Sequence, residues 1–336
     1  MRALLLDYSR RSLSVGDYAL PAEPGAGEAL VRIIEGGVCG TDRNLASFIY
    51  GKPPGEEPAL ILGHEALGVV ELSSDPSLAK GQLVVPMIRR DCAPACGMCA
   101  RGRRDNCLTG NYTERGIAGA HGYFAEFTVD AARDLIPIKA SLADVGVLVE
   151  PMSVAEKTFD VVSKLHQGEP RSVLILGAGT IGILCAWAGL LRGFEVTVMS
   201  TEPAVSARAK LLTSFGVRYT QSFDGLRADV IVEACGVASV ASASLRCLNN
   251  CGVQIILGAR AASVEIPYLE MILGNKIIAG SVNASRAHFE SAASSIGRLE
   301  RAQLSPLIKR RPLAEAPASV LTPPPSVIKI VHVVAN

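Results

Sequence analysis

Three side chains in the first half of the sequence could hold a catalytic metal ion. Cys39 lies in the segment Gly-Val-Cys-Gly-Thr-Asp at 37–42, His64 follows a glycine, and Glu150 precedes a proline. One thiolate, one imidazole and one carboxylate give zinc three protein ligands and leave a fourth position open, which distinguishes catalytic from structural zinc sites. These residue types therefore predict a zinc ion that acts as a Lewis acid on a hydroxyl or carbonyl group.

A second group of possible metal ligands consists of cysteines. Four of the nine cysteines lie close together in the sequence, namely Cys92, Cys96, Cys99 and Cys107. Four thiolates on a short loop can complete the tetrahedral shell of a structural zinc ion. Cysteines that are merely buried usually lie in apolar segments, whereas charged residues surround these four. We therefore predict a second zinc ion in this loop.

A glycine-rich turn follows these ligands in the chain. The segment Gly-Ala-Gly-Thr-Ile-Gly at 177–182 comes directly after the apolar run 172–176 and begins an apolar helical segment. In this context the pattern indicates a dinucleotide-binding turn. Gly177 permits the tight turn, Gly179 lets the backbone approach a pyrophosphate, and Gly182 lets the helix pack against the strand. A nicotinamide nucleotide beside an open zinc site predicts hydride transfer.

Two domains must position these residues. Short alternating runs between glycine and proline turns, at 29–33, 68–72 and 82–85, predict a mainly β catalytic domain over residues 1–153. Further along, apolar runs alternate with helical segments, one of which lies at 181–191. The apolar runs lie at 172–176, 194–199, 217–220, 229–233, 254–257 and 277–278. This alternation predicts an α/β domain with a doubly wound parallel sheet over residues 154–298. Residues 299–336 are expected to return to the first domain, with a turn at Pro323-Pro324-Pro325 and a last strand at 327–334.

The composition favours a globular enzyme and disfavours several other classes. The 336 residues are 49% hydrophobic and 19% charged, which is enough apolar material for two cores. Lys plus Arg number 33 and Asp plus Glu 32, so charge gives no reason to expect nucleic acid or an anionic membrane as partner. The first apolar run is too short for a signal peptide, and none approaches the roughly 18 residues of a membrane span. We expect a cytoplasmic protein.

The order of these motifs resembles the zinc-dependent medium-chain dehydrogenases over essentially the whole chain. A narrower resemblance, to the glucose 1-dehydrogenase branch, lies in residues 107–117, 121–123, 150–151 and 280–283. It implies a GroES-like catalytic domain with two zinc ions, a Rossmann domain that binds NADP or NAD, and a homodimer or homotetramer. It also implies a small-molecule substrate with hydroxyl groups.

The resemblance further implies a role for each site residue. Three residues would hold the catalytic zinc, namely Cys39, His64 and Glu150, and Glu65 would be able to enter its coordination shell. Asp42 would orient His64, and Thr41 would relay the substrate proton. Helix capping is the alternative role for Asp42 and Thr41. Substrate hydroxyls would be contacted by Glu114, His121 and Glu150, although surface-loop roles for Glu114 and His121 remain open. The nucleotide would be bound by Gly177, Gly179, Thr180, Ile181, Gly182, Ser200, Thr201, Val282 and Asn283.

The choice between the two nucleotides depends on the end of the second strand of the Rossmann domain. NAD-specific sites usually place an acidic residue there, whereas this sequence has Ser200 and Thr201, which could donate hydrogen bonds to a 2′-phosphate. Glu202 lies close enough in sequence to oppose that phosphate. We therefore predict use of both nucleotides with a modest preference for NADP.

The expected reaction is oxidation of a sugar or polyol hydroxyl, with a glucose-type aldose as the first candidate. Ile88 and Val154 stand where glucose-oxidising relatives often have polar residues, which keeps a less polar secondary or aromatic alcohol as the alternative. Asn44 replaces the histidine that ends the proton relay in many alcohol dehydrogenases, and Cys92 is one residue further from Cys96 than usual. A catalytically silent zinc-stabilised nucleotide sensor is the alternative from another class, but it would need no open metal position.

Overall fold

The computed structural model describes residues 1–258, 263–324 and 327–335. Its strands are β1 (Arg2–Asp7), β2 (Ser12–Asp17), β3 (Glu28–Gly37), β4 (Ala59–Ile61), β5 (Glu65–Ser73), β6 (Leu83–Pro86), β7 (Glu114–Arg115), β8 (Gly119–Ala120), β9 (Phe127–Ala131), β10 (Leu135–Pro137), β11 (Ser172–Leu176), β12 (Glu195–Met199), β13 (Arg218–Thr220), β14 (Ala228–Glu233), β15 (Leu248–Ile256), β16 (Ile277–Gly280), β17 (Ile308–Pro312) and β18 (Lys329–Val333). Its α-helices are α1 (Gly40–Ala46), α2 (Val149–Leu165), α3 (Thr180–Leu191), α4 (Ala207–Ser214), α5 (Ala238–Ser244), α6 (Tyr268–Leu273), α7 (Arg286–Arg298), α8 (Arg301–Leu304) and α9 (Ala316–Leu321).

The chain forms two compact units, the first from Met1–Glu150 with Ser285–Asn336 and the second from Pro151–Ala284. The first unit is mainly β. Its larger sheet has the order β10-β6-β5-β3-β18-β17, with β9 also paired to β3, and its smaller sheet has the order β2-β1-β4. Burial alternates along most of β3, as expected for a strand with one face on a core. That core includes Val31, Ile33, Tyr123 and Phe124.

The second unit has a six-stranded parallel sheet with the order β13-β12-β11-β14-β15-β16. This is the strand order of a Rossmann fold, in which ligands bind where the order reverses, beside the first strand. The first strand here is β11, which is buried over Val173–Leu176 because helices cover parallel sheets on both faces. The predicted fold class is confirmed. No helix among the described residues has the length and apolar character needed to cross a membrane.

The predicted elements match the structure most closely where the apolar run is continuous, as in β11 and α3. The strand predicted at 254–257 begins earlier in the structure, since β15 starts at Leu248. The first half of β15 contains Asn249, Asn250 and Gly252. These residues interrupt the apolar pattern, yet Asn249 is held by a 2.8 Å hydrogen bond to Asp229. Part of the predicted proline turn, Pro325, lies outside the described residues.

Helix α7 belongs to the first unit, whereas the sequence prediction ended the nucleotide-binding domain at residue 298. Arg286, at the start of this helix, donates hydrogen bonds to the carbonyl oxygens of Arg133 (2.7 Å) and Leu135 (3.4 Å). The buried face of the helix includes Phe289, Ala292 and Ile296. The return to the first unit therefore begins at Ser285 and includes the whole helix.

Candidate active site and metal centres

Pairing of β3 with β5 brings the first predicted ligands together. Gly37 and Glu65 are partners in this antiparallel ladder, so Cys39, just after β3, lies beside His64, just before β5. One possible ligand atom from each of Cys39, His64 and Glu65 lies within 4.8 Å of the other two. His64 and Glu65 are buried, and Cys39 is half-buried. The strand ends thus place a thiol, an imidazole and a carboxylate at one point.

Asp42 links the start of α1 to His64. Cys39 is the N-cap residue of this helix, and its backbone N–H donates a 2.7 Å hydrogen bond to Asp42 Oδ2. The other oxygen, Oδ1, lies 3.4 Å from His64 Nδ1. A carboxylate facing one ring nitrogen of a ligand histidine orients the ring and leaves the other nitrogen for the metal. Asp42 therefore both caps the helix and faces His64, so the two predicted roles coexist. Thr41 Oγ1 lies 4.0 Å from Cys39 Sγ.

The charges in this buried site fit a metal cation. Burial lowers the pKa of His64, but Asp42 and Cys39 together raise it well above its usual value. For Glu150, burial and the charge of Glu65 raise the pKa to about 8. Buried acids without enough positive charge around them take up protons, and a divalent ion bound to them would replace those protons. The donor set of sulfur, nitrogen and oxygen is the one that zinc binds in proteins.

Glu150 lies near this site but outside the closest set of ligand atoms. The set of mutually close ligand atoms contains Glu65 and does not contain Glu150. Glu150 is nevertheless buried, in the first turn of α2, where Glu65 and His64 both influence its pKa. Its role as third zinc ligand therefore stays a prediction, while Glu65 is the carboxylate that lies next to Cys39 and His64.

A buried lysine in the last strand is the main residue that the sequence prediction missed. Lys329 of β18 forms an ion pair with Glu65 Oε2 and donates a 2.9 Å hydrogen bond to the carbonyl oxygen of Val38. Its only sequence signal was a single lysine inside the apolar run 327–334. Such a lysine is rarely buried without a partner, so this position predicts an ion pair but does not identify the acid.

The four cysteines of the second predicted site also meet. One sulfur from each lies within 4.8 Å of the other three, with Cys92 and Cys99 at 3.6 Å and Cys96 and Cys107 at 3.9 Å. Backbone N–H groups of Cys99 and Leu108 lower the pKa of Cys96 to about 6, and thiolates are the form that binds zinc. The extra residue between Cys92 and Cys96 therefore does not displace Cys92 from the group.

Buried ion pairs hold this cysteine loop to the sheet. Arg104, inside the loop, contacts Asp134 at 2.6 Å, and Arg90, before the loop, contacts Asp134 at 3.3 Å. Arg90 and Arg115 both contact Asp130, at 2.5 and 3.2 Å. Burial alone would raise the pKa of Asp130, but Arg115 and Arg90 lower it below its usual value of 3.8. Asp130 therefore remains charged, and Asp130 and Asp134 are the acidic partners at the centre of the network.

Known proteins share both the fold and the motifs. Residues 143–331 match the family described as glucose dehydrogenase C-terminus, and residues 25–140 match the alcohol dehydrogenase GroES-like domain. The chain is 36% identical over 310 residues to a glucose 1-dehydrogenase of Methanocella arvoryzae, which covers 86% of each protein. This chain belongs to the zinc-dependent medium-chain dehydrogenases, in the glucose dehydrogenase family. A Haloferax mediterranei glucose dehydrogenase solved with NADP, zinc and gluconolactone aligns with a TM-score of 0.92 and 31% identity over 100% of both chains.

Two residues that the branch resemblance assigned to substrate are held by partners in this dehydrogenase. Glu114 accepts a 3.0 Å hydrogen bond from Arg89 Nε, and the buried Arg89 guanidinium lies 3.8 Å from the centre of the Tyr112 ring. The sequence prediction missed Arg89, although a basic pair after an apolar strand was visible at 89–90. Arg89 orients the carboxylate of Glu114, whose contact with substrate stays a prediction.

His121 lies in a separate polar cluster with Tyr18 and Glu57. Its Nδ1 accepts a 3.1 Å hydrogen bond from the backbone N–H of Ile61, so in the neutral ring Nε2 carries the proton. Nε2 lies 2.9 Å from Glu57 Oε2 and 2.7 Å from the Tyr18 hydroxyl. Both ring nitrogens of His121 therefore have partners within the first unit, and its substrate role also stays a prediction.

The glycine-rich turn has the geometry that dinucleotide binding needs. Gly177 has φ +105°, a conformation that side chains disfavour, and a Cβ at Gly182 would overlap the carbonyl oxygen of Gly177. A Cβ at Gly179 would meet nothing within 4 Å, so the space above this backbone is open. Helix α3 begins at Thr180 and directs its free N–H groups to that space. Gly177 therefore has the turn conformation, Gly182 the close contact and Gly179 the open space that the predicted roles require, and nucleotide binding by this turn stays a prediction.

The end of β12 carries the residues that bear on nucleotide choice. Ser200 follows this strand, and Glu202 forms an ion pair with Arg208 of α4. The carbonyl oxygen of Glu202 also accepts a 2.8 Å hydrogen bond from the Tyr219 hydroxyl. The negative charge of Glu202 is therefore compensated within the second unit, which lowers its repulsion of a phosphate. In the same unit, Lys157 donates a 2.8 Å hydrogen bond to the carbonyl oxygen of Val282, next to Asn283.

Proposed function

We propose that this dehydrogenase oxidises a hydroxyl group of an aldose or polyol, with a glucose-type aldose as the preferred substrate, and transfers hydride to NADP or NAD. The observation that carries the proposal is the close set of Cys39, His64 and Glu65, backed by Asp42, in a chain that continues into a dinucleotide turn. The names of the relatives support the sugar substrate.

The residues of the chain have distinct tasks in this reaction. A zinc ion, when bound, lowers the pKa of the substrate hydroxyl, and the nicotinamide ring takes the hydride. Cys39 and His64 would hold that ion, and Asp42 fixes the ring of His64 through its contact at Nδ1. Thr41 places a hydroxyl beside Cys39, where it can accept the substrate proton and pass it outward. Asn44 cannot take up that proton as a base, so the proton would leave to water instead.

Reduced nicotinamide absorbance at 340 nm tests the proposal directly. The purified protein, with NADP or NAD, is assayed against a panel of aldoses, polyols and simple alcohols. We expect the highest kcat/KM with an aldose. Activity confined to benzylic or aliphatic alcohols would favour the less polar alternative, and no activity on any alcohol would favour the silent sensor.

Glu114→Gln is expected to lower kcat/KM for aldoses and polyols about 10- to 100-fold, and to change it little for simple alcohols. A carboxylate that accepts hydrogen bonds from sugar hydroxyls contributes about 1–3 kcal/mol, and simple alcohols lack the additional hydroxyls. Glu71→Gln is the matched control, because Glu71 is also paired with an arginine, Arg32, at 2.7 Å. Equal losses on both substrate classes would mean that Glu114 supports its loop through Arg89 and does not contact the sugar.

Ser200→Asp is expected to shift the ratio of kcat/KM values from NADP toward NAD by about 10- to 100-fold, or about 1.4–2.7 kcal/mol. An added carboxylate at the end of β12 repels a 2′-phosphate and can accept hydrogen bonds from the ribose hydroxyl. Ser163→Asp, which adds the same charge on the exposed side of α2, should leave the ratio unchanged. A wild-type preference for NAD above about a hundredfold would contradict the predicted use of both nucleotides and point to Glu202 as the ribose partner.

We also propose that the protein is a homo-oligomer, because the second unit exposes an apolar helix and a sheet edge. Helix α6 buries none of its residues and exposes Tyr268, Leu269, Ile272 and Leu273. Strand β16 is the last strand of the six-stranded sheet, so one of its edges has no partner among the described strands. Exposed apolar patches of this kind mark interaction surfaces. Light scattering should give at least twice the chain mass, and a single-chain mass at micromolar concentration would contradict the proposal.

A further inference from the structure

The ion pair between Lys329 and Glu65 lies within the candidate zinc site. Both side chains are almost completely buried, at 2% and 1% exposure. One carboxylate oxygen of Glu65 lies within 4.8 Å of the ligand atoms of Cys39 and His64. We propose that Lys329 is a positioning residue that retains the Glu65 carboxylate and thereby keeps it from occupying the open position of the metal. This inference rests on the proposed function, since it requires a metal ion at Cys39 and His64.

Three neighbouring strands fix the geometry of this pair. Glu65 begins β5, Lys329 begins β18, and β3 lies between these two strands. A Cβ at Gly37 of β3 would overlap Glu65 Oε2 and approach Lys329 Cε to 2.9 Å. Gly37 is therefore the position at which the middle strand leaves space for the ion pair. The Lys329 ammonium is held further by its hydrogen bond to the Val38 carbonyl oxygen.

Burial makes the Glu65 carboxylate dependent on a positive partner. A buried carboxylate without a positive partner is strongly destabilising, so Glu65 needs either the ammonium or a metal ion. While Lys329 holds Glu65, a metal bound by Cys39 and His64 would keep a position open for substrate. Without the Lys329 ammonium, Glu65 would have only the metal ion as a positive partner and would bind to it.

The visible absorption bands of cobalt(II) test this competition, because their intensity falls when a four-coordinate site gains a ligand. Zinc is replaced by cobalt(II), and the spectrum of the Cys39→Ser variant is subtracted to remove the four-cysteine site. In Lys329→Met we expect weaker bands and at least tenfold tighter cobalt binding in competition with a chelator. Adding Glu65→Gln to this variant should restore the wild-type spectrum and affinity.

Further variants separate this role from a structural one. The double variant Lys329→Met, Glu65→Gln removes both charges together and leaves no buried charge unpaired, so its wild-type bands test the role even if Lys329→Met alone does not fold. Lys309→Met, which removes an exposed lysine of β17, should also have no effect. Identical bands and affinity in wild type and Lys329→Met would overturn the inference alone. Failure of the wild type to bind cobalt at Cys39 and His64 would contradict the proposed function and this inference with it.

Discussion

Cys39→Ser is expected to lower kcat/KM by on the order of 10³–10⁴-fold while the protein remains folded. A Lewis-acid metal contributes several kcal/mol of transition-state stabilisation, and each 1.4 kcal/mol corresponds to a factor of ten in rate. Serine is close in size to cysteine but is a poor zinc ligand at neutral pH, because its hydroxyl keeps its proton. Cys39 is also the N-cap residue of α1, and serine is itself a favourable N-cap residue, so the substitution should preserve the start of the helix.

Elemental analysis separates the two predicted metal sites. The wild type should contain two zinc ions per chain, and Cys39→Ser should contain one. Cys99→Ser should also lose one zinc ion, but its main effect should be lower stability, because a structural zinc contributes to folding. Cys251→Ser is the matched control, since Cys251 lies in the second unit outside both ligand groups.

Two outcomes would contradict this assignment. A Cys39→Ser protein that keeps both zinc ions would show that Cys39 is not a ligand. A protein that loses one zinc ion but retains wild-type kcat/KM would show that this metal has no part in the reaction.

Local motifs allowed much of the site to be predicted from sequence. Cys39 and His64 lie at the ends of two strands, and the glycine turn follows a third, so each motif carries its own structural context. The four cysteines lie in one short loop, and chain connectivity alone keeps them close together. These are the parts of the site whose geometry depends on short segments of chain.

The parts that could not be predicted depend on pairing between distant segments. Lys329 meets Glu65 only because β18 joins the sheet beside β3, and a sequence does not state which strands become neighbours. The same holds for Arg89, which reaches Glu114 across an isolated β-bridge. Glu65 was predicted beside His64 from its place in the sequence, but its closeness to Cys39 depends on the Gly37–Glu65 register of two strands.

Asp130→Asn is expected to destabilise the first unit by about 3–5 kcal/mol near neutral pH, because breaking a buried ion pair leaves the partner charges uncompensated. Asp130 is buried between the guanidinium groups of Arg90 and Arg115 and also accepts a 2.9 Å hydrogen bond from the Tyr123 hydroxyl. Asparagine keeps the shape but removes the charge, and its NH2 group donates where one carboxylate oxygen of Asp130 accepts. Urea unfolding of wild type and variant measures the difference in free energy.

The pH dependence of this difference distinguishes lost charge from lost packing. Arg115 and Arg90 lower the pKa of Asp130 below 3.8 in the folded state, so its charge stabilises the fold above that pH. This stabilisation is lost as the pH falls below 3.8 toward the folded-state pKa, because the wild type then takes up the proton. The difference between wild type and Asp130→Asn should therefore be constant near neutral pH and shrink in acid.

Asp17→Asn provides the control for these measurements. Asp17 is paired with Arg2 at 3.2 Å, but its side chain is 88% exposed, so the change should cost less than about 1 kcal/mol at any pH. A loss of similar size for Asp130→Asn would mean that the buried network contributes little to folding. A difference that stays constant into acid would attribute the loss to packing of the amide. A difference that shrinks in acid would assign it to the charge of Asp130 between Arg90 and Arg115.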